Sequence, residues 1–529
     1  TYPDRGAGYN VIDNGTAANG ANGTCENAGS QYGIFPNRVG WPEIVQVANG
    51  DQLVFAHTPI KMMRKAASVS GTQPNDWTYV ANPFGLATGA TTFVDTWPRA
   101  VASGNIIHMI ATCSGCTVTD ATKSDVGVEA PIRYFRSQDG GTTWDKVDQT
   151  LPGLTTATFP EGIGADAYAI HTNGSNVAII AGDGGSDWMM WKSSDNGDNW
   201  TNYTMRHFRG AIDTVDFFGV TDSPDNVQYI SNDRFMSVVV TNSGEAHAFA
   251  GEQVVVVDRD SVTFKNRYYP GLSQGLWHWS TTMTPGEPEY VDIELEDLAD
   301  YPTMYTPEDT ALWAETSGNY QSGYIGMPTA AVDQNNWVYV VYSKALRGTD
   351  SNGDPATSQN YRNLYGTALE PGSMTFKSIQ NLGNALTGNG PGEFEESVFP
   401  SIVTKVGSDD MIHMIYQNDD EPGLRIQADY DGELLNRMVY AGFSAAILRE
   451  TGISEDMKTL ASGITVMPNP TSNVANVKVD LLKDAKVGVK VYNLLGQEVI
   501  SIPAADFFVA NNNVVELDLS AQPTGMYLL

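Results

Sequence analysis

Short runs of apolar and β-branched residues, bounded by Gly, Asn, Asp and Pro, dominate this chain, and apolar positions at helical spacing are nearly absent. An all-β fold is therefore expected. One unit recurs: an aromatic-Pro pair, a short apolar strand, a polar turn and a second apolar strand. It reads Trp41-Pro42 to Val45, Asn49-Gly50-Asp51, then Leu53 to Ala56. It returns at Trp97-Pro98 with Ile106 to Ile110, and at Phe159-Pro160 with Val177 to Ile180. Further copies run from Met327-Pro328 to Tyr342 and from Phe399-Pro400 to Tyr416. A sixth, Phe235 to Val240 with Ala246 to Phe249, lacks the aromatic-Pro pair.

Each unit reads as a hairpin whose polar turn supplies the positive-φ positions that hairpins need. The first openings are 56 and 62 residues apart (97 − 41 and 159 − 97), long enough for a four-stranded sheet with loop insertions. Strands that are apolar on both faces fit sheets packed radially, each covered on two sides. Six copies predict a six-bladed β-propeller over residues 30–455, after an N-terminal extension at 1–29. The pattern changes after a linker at 456–463. Val477, Val479 and Leu481 alternate with polar residues, as do Val487, Val489 and Val491, and Val515, Leu517 and Leu519. Residues 464–529 are expected to form a small Ig-like β-sandwich.

Charge narrows the partners. The 529 residues include 30 Lys+Arg and 62 Asp+Glu, a net charge of −32. This excess argues against nucleic acid and anionic membranes, which need Lys and Arg to displace counterions. No apolar run is long enough to span a bilayer, so no transmembrane segment is expected. Between Arg267 and Lys344 there is no Lys or Arg, and ten acids fall between Glu287 and Glu315. That stretch reads as an acidic insertion near 285–320, either a solvated face or a cation or partner surface. The opening Thr1-Tyr2-Pro3-Asp4 reads as a mature N terminus left after signal-peptide removal. Cys113 and Cys116 form the candidate disulfide, with Cys25 as the alternative partner, in an oxidising compartment.

A second motif overlaps the repeat. Ser137, Asp139, Gly141, Thr143 and Trp144 fit Ser-x-Asp-x-Gly-x-Thr-Trp. Ser193, Asp195, Gly197 and Trp200 fit it too, with Asn199 in place of Thr. This resembles the Asp box, or BNR repeat, of sialidase-type β-propellers. The resemblance implies a structural turn away from the active site: Asp accepts backbone N–H bonds, Gly takes the left-handed position and Trp plugs between sheets.

The last 65 or so residues carry Pro468-Asn469-Pro470, Gly496 within Asn493-Leu494-Leu495-Gly496-Gln497, and Gly525 and Tyr527 near the end. They resemble the type A C-terminal sorting domain of the Bacteroidota type IX secretion system. The resemblance implies partners in the translocon and its outer-membrane shuttle. It places the protein outside the cell or on the outer face of the outer membrane.

Candidate chemistry is sparse. A sialidase needs three arginines gripping a carboxylate, a Tyr–Glu nucleophile pair and an Asp acid/base. Arg38 is displaced from the expected frame, and Arg99, Arg133, Arg234, Arg362 and Arg425 stand in no family frame, so catalytic residues are unknown. His108 and His413 precede equivalent Met-Ile pairs, which favours repeated packing over metal ligation. No cofactor is called for, apart from a structural calcium ion that Asp350, Asn352 and Asp354 would hold; a plain turn is the favoured reading there. The leading expectation is a non-enzymatic exported protein that binds a glycan or a surface protein or joins an extracellular assembly, or a secretion substrate held by the export machinery. The alternative is a sialidase-like glycoside hydrolase.

Overall fold

The computed structural model describes residues 7, 12–13, 16–17, 33–57, 59–69, 76–85, 94–114, 127–160, 162–165, 167–208, 226–258, 265–269, 275–293, 320–350, 360–383, 396–423, 437–449, 461–468, 471, 473–481, 485–493, 498–507, 513–522 and 527–528. The fold is all-β, and the chain divides into two units, Thr1–Glu450 and Thr451–Leu529.

In the first unit, a two-stranded hairpin of Ile12–Asp13 and Thr16–Ala17 is followed by six larger antiparallel sheets among the described residues. Their opening hairpins are Gly40–Gln46 with Gln52–His57, Val94–Ser103 with Ile106–Ser114, Tyr168–Asn173 with Asn176–Ala181, Asn226–Val240 with Ala246–Asp258, Ile325–Val332 with Val338–Asp350, and Glu396–Ile402 with Met411–Asp419. Four sheets are four-stranded meanders, the fourth sheet has five strands and the sixth has three. Four-stranded meanders of this kind fit propeller blades.

The first strands of successive sheets neighbour one another from the first sheet to the sixth. Apolar cores fill the gaps between them. Phe55 and Met62 of the first sheet pack with Ile107 and Met109 of the second, and Tyr134 of the second with Val177 and Trp191 of the third. Trp188 meets Trp277, Phe249 meets Val340, and Tyr339 meets Met414 in the three gaps that follow. Covering a sheet on both faces is what makes its strands continuously apolar. The remaining face of the first sheet is covered by Ala7, Ile34, Phe35 and Val39. The sixth sheet keeps Ile415 and Met438 exposed, at 42% and 70%.

The recurrent aromatic-Pro pair turns out to be a β-bulge. Trp41, Trp97, Met327 and Phe399 have φ of 49°, 50°, 54° and 51°, and pairing slips by a residue at each. A bulge re-aims side chains and sharpens the strand's twist. The fourth sheet has a wider irregularity, slipping by two residues around Arg234 (φ 76°), where no aromatic-Pro pair signals it. The third copy differs: Phe159 lies in a turn nine residues before Tyr168 (168 − 159), stacked 6.2 Å from Trp191, and its first strand pairs without a slip.

One stretch read as an insertion is partly sheet. Glu289–Ile293 is the outer strand of the fourth sheet, because Val291 and Asp292 are buried there. Asp292 accepts a bond from the Tyr342 hydroxyl at 2.8 Å and pairs with Lys344 at 3.2 Å. Residues 294–319 lie outside the described residues. The fourth sheet is instead enlarged elsewhere, where Lys265–Tyr269 pairs with Val254–Asp258.

The second unit has two three-stranded sheets sharing one core. Ala461–Met467, Val474–Leu481 and Val514–Asp518 form one, and Glu498–Phe507, Ala485–Asn493 and Tyr527–Leu528 the other. Val477, Val479 and Leu481 face Val489 and Val491 across it. The first strand begins at Ala461, inside the stretch read as a linker, because Ala461 and Gly463 pair with Leu481 and Asp480.

Candidate functional site

In a meander, the connection entering a sheet and the one from its second to its third strand leave by the same edge. Here that edge carries the long connections, among them 207–225, 294–324, 382–395 and 420–436, while the opposite edge has tight turns such as Ser103 to Ile106. At the long-connection edge of sheets four to six, buried charged residues meet.

Asp233 sits in the bulge of the fourth sheet. Its Oδ2 accepts the Gly323 N–H at 2.8 Å and the Ser322 hydroxyl at 3.2 Å, and Oδ1 accepts the Phe235 N–H at 3.0 Å. A Cβ on Gly251 or Gly326 would stand 2.2 or 2.6 Å from that Oδ2, so only glycine leaves room for the carboxyl group. Arg362, in the third strand of the fifth sheet, donates from Nη2 to the Gly323 carbonyl at 2.6 Å and lies 5.8 Å from the Tyr320 ring. Its backbone N–H bonds Glu396 Oε2 at 2.5 Å. Glu396 opens the sixth sheet, and Asp419 is its cross-strand partner. The Tyr320 hydroxyl accepts the Gly423 N–H at 2.7 Å.

Asp233, Arg362 and Glu396 have no exposed surface, and Asp419 has 1%. Burial dominates their chemistry. It pushes Asp233 and Glu396 up to about 7, against the N–H bonds that favour their charged forms. It lowers Arg362, and with the neighbouring Glu396 it holds the Tyr320 phenol far above its ordinary value. Among the described residues, Arg362 Nε and Nη1 and Asp419 Oδ2 have no hydrogen-bond partner. Carboxyl groups poised near neutrality beside a guanidinium and a phenol are the ingredients of acid–base chemistry. Tyr320, Met327, Val398, Phe235 and Phe399 pack together over this region.

The same edge of the first two sheets carries aromatics. Trp41, 38% exposed, stands edge-on to Trp97 at 6.2 Å and to His57 at 5.1 Å. Glu43 is raised to about 7 by burial, opposed by Arg99. Arg234 pairs with Asp183 at 3.0 Å and lies 4.8 Å from the Tyr268 ring.

The Ser-x-Asp turns lie at the opposite edge. Asp139 Oδ1 accepts the Thr142 and Thr143 N–H groups at 3.1 and 2.8 Å, and Thr143 Oγ1 reaches Oδ2 at 2.6 Å. Asp195 accepts the Asn199 N–H at 2.9 Å and the Asn199 side-chain amide at 2.7 Å. Ser137 and Ser193 each accept a glycine N–H, from Gly141 and Gly197, at 2.8 Å. Trp144 stands edge-on to Phe84 and Trp200 to Tyr134, both at 5.1 Å.

The remaining sequence candidates are scattered. Cys113 is disulfide-bonded, while Cys25 and Cys116 lie outside the described residues. Asp350 ends a strand opposite Asn360, and Asn352 and Asp354 lie outside the described residues. Of the sorting motif, Pro468 follows a cis peptide bond and Tyr527 pairs with Asn493; Asn469, Pro470, Gly496 and Gly525 lie outside the described residues. Of the arginines, Arg362 joins carboxyl groups at the buried cluster, Arg133 faces Asp148 at 3.4 Å, and Arg425 lies outside the described residues. Asp233, Glu396 and Tyr320 were not singled out in the sequence, and no aromatic-Pro pair marks the bulge that holds Asp233.

Residues 465–529 match the Secretion system C-terminal sorting domain. The tail indicates export to the cell surface or the extracellular space. No curated protein matches the chain. Solved structures similar to it include the GH93 α-L-arabinofuranosidase of Fusarium graminearum with arabinobiose, at 10% identity over 78% of this chain and 94% of that one, TM-score 0.38. The α-L-arabinanase of Penicillium chrysogenum is 12% identical over 78% and 94%, TM-score 0.35. Trypanosoma rangeli sialidase is 12% identical over 85% and 67%, TM-score 0.35. Among the described residues, no helix is long and apolar enough to cross a membrane.

Proposed function

We propose that the chain is a type IX secretion substrate that works outside the cell as a binding protein. Its first unit is read as a six-bladed β-propeller bearing two Asp boxes. Its second is read as an Ig-like sandwich that engages the translocon and the outer-membrane shuttle. One observation carries the non-enzymatic reading: Asp233 and Glu396, two of the three acids raised to about 7, have no exposed surface, and the third, Glu43, lies apart from them on the first sheet. Catalytic acids must touch the group they protonate. Here they sit inside the packing of sheets four to six, while the exposed Trp41 lies at the same edge of the first sheet. A glycan array and a chromogenic-glycoside panel test this together: binding without turnover supports it, and turnover abolished by Glu396→Gln overturns it.

A second reading, a glycoside hydrolase, is favoured by one specific arrangement. Tyr320, Glu396 and Asp233, with Arg362 as one of the three arginines needed, match residue types of a sialidase site. Turnover of sialosides lost in both Tyr320→Phe and Glu396→Gln, with melting temperature retained, would establish it.

A further inference from the structure

At the tight-turn edge, away from the buried cluster, a cavity of about 300 Å³ opens between the fourth and fifth sheets. Glu245 lines it, and its side chain is 29% exposed. Oε1 of this carboxylate accepts the hydroxyls of Ser280 at 2.9 Å and Thr282 at 2.7 Å. No hydrogen bond to Oε2 is present among the described residues. A hydroxyl has one proton. The two hydroxyl oxygens also stand 2.8 Å apart, so these protons are shared among Ser280, Thr282 and Oε1, and the Thr282 oxygen keeps a lone pair for the cavity. His247 also lines the space, with Nε2 3.7 Å from Glu245 and Nδ1 3.0 Å from His278 Nε2. Burial depresses His247 to about 4, so at neutral pH it carries no charge to offset Glu245. The other carboxylate at the rim, Glu370, is paired with Lys377 at 2.7 Å. Among the described residues no Lys or Arg lines the cavity, and the exposed Pro371 and Met374, with the buried Val338 and Leu369, form its apolar side.

We propose that this cavity binds a small organic ammonium group, its N–H donors directed at Glu245 Oε2 and the Thr282 oxygen and its aliphatic stem laid against Pro371 and Met374. The site is rich in acceptors, holds one uncompensated negative charge and has an apolar side. That combination suits a charged amine on a hydrocarbon body, such as an alkylamine or a lysine side chain. A metal ion fits less well. One carboxylate oxygen is available, and no group of three His, Cys, Asp or Glu side chains that could hold a metal occurs among the described residues.

The test is calorimetric titration of the full chain at pH 7.5 and low ionic strength with n-butylammonium, n-butanol and calcium. Saturable 1:1 binding of n-butylammonium with roughly millimolar affinity is expected. Glu245→Gln should weaken it at least about tenfold, since a charge-assisted bond is lost, and Glu370→Gln should leave it within about twofold, because an exposed paired charge contributes little. Thermal melts of both variants check folding. Unchanged affinity in Glu245→Gln, equal binding of n-butanol, displacement by calcium, or no saturation in the wild type overturns the proposal.

Discussion

Nδ1 of His108 and the hydroxyl of Tyr134 stand 2.7 Å apart across neighbouring strands of the second sheet, their rings stacked at 19°. The sixth sheet repeats the pair as His413 and Tyr440, also 2.7 Å apart and stacked at 17°. His108 is fully buried and His413 is half-buried, so one device serves two settings. Tyr134→Phe should therefore cost about 1–2 kcal/mol, by leaving a buried imidazole nitrogen unpaired. Tyr440→Phe should cost about half as much, because water can replace the hydroxyl. Urea unfolding of the two variants checks the ratio.

The two Ser-x-Asp turns differ at one position. Asn199 uses its amide for the contact that Thr143 makes with its hydroxyl, at 2.7 against 2.6 Å. Asn199→Thr should be close to neutral, within about 0.5 kcal/mol. Asp195→Ala should cost about 1–3 kcal/mol through its lost N–H bonds. These bonds hold Asp195 down at about 2, so its contribution persists above the ordinary carboxylate range and disappears as pH falls through 2. Thermal melts at pH 7 check both substitutions.

Gly197 and Gly174 both have positive φ, 79° and 61°. A Cβ at Gly197 would lie 2.1 Å from the Tyr134 hydroxyl, whereas one at Gly174 meets nothing within 4 Å. Gly174→Ala should cost about 1 kcal/mol of backbone strain. Gly197→Ala should cost several times more, because it also displaces the tyrosine that His108 needs. Equal melting temperatures would remove Tyr134 from the argument.

Buried acids and buried histidines give opposite pH slopes. Glu396 and Asp233, raised to about 7, keep protons that the unfolded chain releases above about 4.5, so their contribution to stability falls as pH rises to 7. His108 is lowered to about 3 and His171 and His247 to about 4, so the unfolded chain binds protons that the folded one excludes, and stability falls as pH drops below 6.5. Glu396→Gln removes one carboxyl group and should gain about 1–3 kcal/mol relative to wild type between pH 4.5 and pH 8. Denaturant melts across that range check it; a difference independent of pH would move the proton elsewhere.

The all-β class and the opening hairpins were legible because strands covered on both faces must be apolar throughout. Leu53 to Ala56, Ile106 to Ile110 and Val338 to Tyr342 lie in second strands of their sheets. The bulge was visible as Trp-Pro or Phe-Pro, but Arg234 hides it: positive φ is a backbone property that several side chains tolerate. Phe159 misled because a buried aromatic before proline also suits a turn. The Asp233–Arg362–Glu396 cluster was not legible. Its members lie 129 and 34 residues apart (362 − 233 and 396 − 362), and only the order of the sheets brings them together. Likewise, the Glu245 cavity depends on hydroxyls from a strand 35 residues away (280 − 245).

Because each gap between sheets has its own core, cohesion in the first unit is a relay of pairwise interfaces rather than one shared interior. In such an arrangement a sheet is secured by its two neighbours and by little else. Among the described residues, the sixth sheet leaves Ile415 and Met438 exposed, so that side adds little cohesion. Its amides should be the first to trade hydrogen for deuterium, and those of the third sheet, clasped between Tyr134 and Trp277, among the last.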